Sequence, residues 1–147
     1  MKRFIALIAT VAFLSTASLY GAKEVKLDGI KCPVSGKAVK AEHAVAYKGA
    51  KAYFCCPNCP KAFAGDTAKF AAKANHQLYA TGQAKLVACV FTKKPLNPAC
   101  KITVAGKAVC FCCGNCKKKA ETQKDTLACV FGEAQFAKGF KVAVEKK

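Results

Sequence analysis

Phe54-Cys55-Cys56-Pro57-Asn58-Cys59 returns 57 residues later as Phe111-Cys112-Cys113-Gly114-Asn115-Cys116. The same offset carries Cys32 onto Cys89, Ser35 onto Thr92, Gly49 onto Gly106 and Lys61 onto Lys118, without an insertion. A chain that superposes on itself at one spacing is built from repeated supersecondary units. This sequence therefore reads as two copies of one small module.

Each copy has the same outline. A first cysteine opens a turn, Cys32-Pro33-Val34-Ser35-Gly36-Lys37 in copy one. A hairpin follows, with Ala44-Val45-Ala46-Tyr47 and Lys51-Ala52-Tyr53-Phe54 flanking Lys48-Gly49. In copy two, Ile102-Thr103-Val104 and Ala108-Val109-Cys110-Phe111 flank Ala105-Gly106. The glycine supplies the positive φ that a tight hairpin turn requires. Cys-Cys-x-x-Cys closes each hairpin and leads into a helix. The spacing predicts that helix from Pro60 to about Ala74, with Phe63 and Phe70 on one face, and from Lys117 to about Lys124 in copy two. Asn75 to Ala84, with Thr81-Gly82, predicts a turn region between the copies. Leu127-Ala128-Cys129-Val130-Phe131 loosely echoes Leu86 to Phe91, and Phe136 and Phe140 predict a short terminal helix covering one module. The expected organisation is a leader at 1–22, modules at 23–80 and 81–126, and a covering C-terminal segment at 127–147.

The cysteines suggest how so small a unit is held together. A module of 57 residues buries little apolar surface, so a staple is expected. Thiolate-bound metal is one, because its binding energy adds directly to folding. Cys56-x-x-Cys59 and Cys113-x-x-Cys116 are close ligand pairs, and Cys55 and Cys112 offer the alternative Cys-x-x-x-Cys spacing. Adjacent cysteines on a strand point to opposite sides, so one of each Cys-Cys pair is expected to bind. Cys32 and Cys89 are the distant partners. The repeat offset also places His43 on Cys100, both ligand types, at the start of the hairpin. Four-ligand sites of Cys32, His43, Cys55 or Cys56, and Cys59 follow, with Cys89, Cys100, Cys112 or Cys113, and Cys116 in copy two. About two Zn2+ or Cu+ ions per chain are expected.

Cys32-Pro33-Val34-Ser35-Gly36, Tyr47-x-Gly49, Tyr53-Phe54-Cys55-x-x-x-Cys59 and Phe63 together resemble the YHS domain and the related TRASH domain of heavy-metal trafficking, resistance and sensing. The resemblance implies a small α+β, treble-clef-like zinc fold, found beside metal pumps and regulators and in small exported proteins. The family's three cysteines fall on Cys32, Cys55 and Cys59, and in copy two on Cys89, Cys112 and Cys116. Copy two departs from the pattern in its first turn, where Val90 stands for Pro33 and Lys93 for Gly36.

Charge and chain start bear on location. Met1-Lys2-Arg3, the apolar run Phe4 to Leu14 and the small residues from Ser15 to Ser18 read as a secretory leader. Export into the periplasm or the medium is therefore expected, an environment in which disulfides persist. Of 147 residues, 25 are Lys or Arg and 8 are Asp or Glu, giving a net charge of +17. Between Thr67 and Ala120 ten lysines occur without one acidic residue. Such a field repels free cations and attracts anions, so the expected partners besides metal are an anionic envelope surface or an acidic protein. Nucleic acid is not expected for an exported chain with few aromatics to stack on bases.

Two rival readings use the same 11 cysteines. One is a disulfide-stapled, cationic secreted binding protein. Its weakness is an odd cysteine count and matched knuckle spacings that suit ligands. The other is a thiol-disulfide oxidoreductase working through Cys56-x-x-Cys59, but such enzymes place the motif after a strand in a βαβ unit. Hydrolytic chemistry is poorly served by His43 and His76, the only histidines. The expectation is a binding protein rather than an enzyme.

Overall fold

The computed structural model describes residues 25–143; the leader expected at 1–22 and the last four residues lie outside the described residues. In chain order the elements are β1 (Lys40–Tyr47), β2 (Ala50–Phe54), α1 (Asn58–Gly65), α2 (Thr67–Ala80), β3 (Ala84–Leu86), β4 (Asn97–Val104), β5 (Lys107–Phe111), α3 (Gly114–Glu121), α4 (Thr126–Phe131), α5 (Glu133–Gly139) and β6 (Phe140–Val142). This is a small α+β fold of short two-stranded sheets and short helices. No helix among the described residues is long and apolar enough to cross a membrane.

The repeat is expressed in backbone geometry. β1 pairs with β2 and β4 with β5, both antiparallel. The two-residue turns have positive φ at both positions, 53° and 80° at Lys48-Gly49 and 46° and 82° at Ala105-Gly106. That is the turn whose twist matches a hairpin. Ahead of each hairpin the first-cysteine turn is also repeated. The Cys32 N–H donates to the Lys37 carbonyl at 2.8 Å and the Gly36 N–H to the Cys32 carbonyl at 2.9 Å. Cys89 and Lys93 make the same bonds to Lys94 and Cys89 at 3.0 and 2.8 Å. The substitution of Lys93 for Gly36 leaves the turn intact, at the cost of a lysine at φ 58°.

The helices depart from expectation. The single helix from Pro60 to Ala74 is two, because Asp66 (φ −147°, ψ 72°) breaks it and caps the next by accepting from the Lys69 N–H at 3.0 Å. Phe63 and Phe70 nevertheless pack into the same cluster, with Cys32, Ala52, Phe54 and Ala74. Helix α2 then runs to Ala80, through most of the span read as a turn, and only Thr81-Gly82 turns. In copy two the helix starts at Gly114 and not at Lys117.

The expected single terminal helix is two helices and a strand. Asp125 caps α4 as Asp66 caps α2, accepting from the Ala128 N–H at 2.9 Å. Phe136 lies in α5 and Phe140 in β6, their rings stacked with centroids 4.9 Å apart. β6 pairs with β3, Lys141 opposite Lys85, which ties the end of the chain to its middle.

Helix α2 joins the two halves. Ala74 belongs to the smaller cluster, and Leu78 to a larger one with Val90, Val104, Val109, Phe111, Phe131, Phe136 and Phe140. Its two buried amides find partners, as buried polar groups must. Gln77 accepts from the Tyr53 N–H at 2.7 Å and donates to the Tyr53 carbonyl at 2.9 Å, serving the free edge of β2 as a neighbouring strand would. Asn75 donates to the Phe131 carbonyl at 2.9 Å and accepts from the Tyr47 hydroxyl at 3.1 Å.

Candidate metal centres

The turn before each hairpin and the knuckle after it meet at one end of the module. There Cys32, Cys55 and Cys59 form one group and Cys89, Cys112 and Cys116 another, the three sulfurs of each lying within 4.8 Å of one another. Cys32 and Cys89 are 1% and 0% exposed, so each pocket is closed from below. β2 and β5 end by delivering Cys55 and Cys112, and the first turns of α1 and α3 deliver Cys59 and Cys116. The spacing of 23 and then 4 residues is identical in both.

These sulfurs fit a metal ion in size and chemistry. Four sulfurs about 2.3 Å from a tetrahedral ion are about 3.8 Å apart. The Cys55–Cys59 and Cys112–Cys116 sulfurs are 3.6 and 3.7 Å apart. A hydroxyl supports each group: Ser35 Oγ lies 3.0 Å from Cys55 Sγ, and Thr92 Oγ1 lies 3.2 Å from Cys112 Sγ. The N–H of Lys37 and of Lys94 donates to those hydroxyl oxygens at 3.3 and 3.4 Å, fixing their position.

The thiols of each group are unequal. Burial pushes the Cys32 thiol up, but hydrogen bonds from the Ser35 hydroxyl and the backbone of Ser35, Cys55 and Val34 outweigh it and bring it down to about 7. Cys89 comes down to about 6: burial opposes, and the backbone of Cys112, the Thr92 hydroxyl and the backbone of Phe91 and Thr92 prevail. Cys59 and Cys116 are pushed up to about 12, first by burial and then by the neighbouring sulfurs. Each group thus holds a negative charge readily at Cys32 or Cys89 and resists one at Cys59 or Cys116. A bound cation lifts that resistance, with protons released as the ion binds.

The other residues singled out in the sequence lie around these groups. Cys56 and Cys113 are outside them but adjacent, with Cys56 Sγ 3.4 Å from Cys59 Sγ and Cys113 Sγ 3.7 Å from Cys112 Sγ. His43 and Cys100 are not brought into either. Strand pairing jumps from Ala44↔Tyr53 to Lys40↔Phe54, and from Lys101↔Cys110 to Asn97↔Phe111. His43 and Cys100 fall in these irregular stretches, and His43 Nε2 faces Glu42 at 3.4 Å. A hairpin with uninterrupted register would have carried both toward the knuckle; the bulge redirects them. All eleven cysteines are free thiols, including the half-buried Cys110 and Cys129 that lack repeat counterparts. Ser35 and Thr92 escaped the sequence reading as supporting residues, although their coincidence at the repeat offset was the signal for them. No protein-family model matches the chain, and no curated protein or solved structure shows significant similarity to it.

Proposed function

We propose that this is an exported protein of two tandem YHS/TRASH-type modules, each holding one transition-metal ion, zinc or copper, through Cys32, Cys55 and Cys59 or through Cys89, Cys112 and Cys116. One observation carries the reading: both copies of the repeat build the same three-sulfur group, each with a side-chain hydroxyl beside it. Convergence of two buried thiols and one half-buried thiol from a turn, a helix start and a strand end is costly for packing alone and suits a soft cation. Cys56 and Cys113, beside the groups, are the nearest further thiols for a fourth position. The chain is read as a binding protein and not an enzyme, its metals stapling small modules or being handled as cargo. Metal analysis after purification under reducing conditions tests this. Two equivalents per chain with no mass loss from disulfides is the expected result; a metal-free protein with five disulfides would replace it with the disulfide scaffold.

A further inference from the structure

A cleft of about 670 Å³ lies between the two halves of the molecule, with Cys32 among its lining residues. The segment from Lys26 to Gly36 and helix α2 form two sides, and the hairpin turn at Ala105 to Lys107 with Leu127 the opposite wall. Its size is that of a small-molecule site. Four lysines line it, Lys26, Lys31, Lys73 and Lys107, against a single acidic residue, Asp28. Between them Ile30, Ala80 and Leu127 give an apolar floor. The cleft is also lined by His76, whose Nε2 is the buried side-chain nitrogen or oxygen left without a hydrogen-bond partner among the described residues. A buried polar atom of this kind costs about 1–3 kcal/mol unless something completes it.

We propose that this cleft binds a small amphipathic organic anion, a carboxylate or phosphate carried on an apolar body. Four cations around one carboxylate make a site that prefers negative charge, and low-dielectric walls strengthen that preference. The apolar floor favours a ligand with hydrocarbon to bury, at about 25 cal/mol per Å². A simple inorganic anion would satisfy the lysines and leave the floor wet. An apolar cation would satisfy the floor and meet the lysines' repulsion. Because both halves of the chain line the cleft, an occupant also ties the halves together. Cys32 of the first sulfur group also lines the cleft, but the lysines and apolar side chains that would select the ligand are not members of the sulfur groups.

Calorimetric titration of the full-length mature protein with decanoate, below the concentration at which it forms micelles, tests the proposal. Acetate supplies the charge without the chain, and decyltrimethylammonium the chain with the opposite charge. The expected result is one decanoate per chain, with both comparison ions at least tenfold weaker, and an affinity that falls as salt rises. The double variant Lys73→Glu, Lys107→Glu should weaken decanoate at least tenfold. Lys141→Glu, on β6 and away from the cleft, should leave it within about twofold. Circular dichroism of the variants confirms that these exposed substitutions leave the fold in place. Absence of decanoate binding, equal binding of decyltrimethylammonium or acetate, or equal affinity in the double variant and Lys141→Glu would each overturn the proposal.

Discussion

Ser35 and Thr92 occupy equivalent places, each with its hydroxyl against the sulfur that ends a hairpin, at 3.0 and 3.2 Å. Outer-shell groups of this kind orient ligands and favour their thiolate form. Ser35→Ala and Thr92→Ala should each lower metal affinity about tenfold at one centre only, measured by competition with a chromophoric chelator. Lys93 makes a different point. It takes the place of Gly36 in a turn that demands positive φ, with values of 58° and 73°. Left-handed backbone costs a side-chain-bearing residue about 1–2 kcal/mol, partly offset by the entropy a glycine loses on folding. Lys93→Gly should therefore raise stability by up to about 1 kcal/mol in a denaturant titration, whereas a lower midpoint would mean the lysine side chain is needed in place.

At the scale of elements, the hairpins and their turns were legible because Lys48-Gly49 and Ala105-Gly106 announce themselves between alternating runs. The first-cysteine turn and the three-cysteine convergence were legible through the repeat. What was hidden is instructive. Asp66 interrupts a helical pattern without disturbing its period, so Phe63 and Phe70 looked like one face of one helix and are two helices on one cluster. The bulges that turn His43 and Cys100 aside leave no mark in composition, because register is set by pairing and not by residue type. The C-terminal segment, read as a cover, shares the main core: Phe131 is fully buried and lies 5.0 Å from His76 and 5.2 Å from Phe140, ring to ring. Phe131→Ala should cost about 3–5 kcal/mol and lower the midpoint of the whole unfolding transition, followed by circular dichroism. A loss confined to the last residues would show that α4 is peripheral.

Across the whole molecule, the halves are joined by α2 and by a polar cluster in which Glu133 of α5 accepts from the Tyr47 hydroxyl of β1 at 2.9 Å and pairs with Lys48. Burial pushes the Glu133 carboxyl up, but Lys48 and Tyr47 outweigh it and hold it below its usual 4.5. A carboxyl with a depressed folded value stabilises the fold fully above its unfolded value, and that contribution fades as pH falls through the folded one. The stability gap between the natural chain and Glu133→Gln should therefore narrow as pH falls from neutral through the carboxylate range, in urea titrations at constant ionic strength. A gap that stays constant would mean the glutamate acts through packing alone.

The charge distribution belongs to the same scale. With a net charge of +17, the molecule does not attract free cations, so any ion held by its thiols must be won by ligand strength. X-ray absorption at the metal edge of the purified, reduced protein asks directly what surrounds that ion. The account predicts a shell of three or more sulfurs about 2.3 Å away, reduced by one sulfur on average at the affected centre in Cys32→Ser or Cys89→Ser. A shell of nitrogen and oxygen alone, or a reduced protein that shows no metal edge at all, would contradict it.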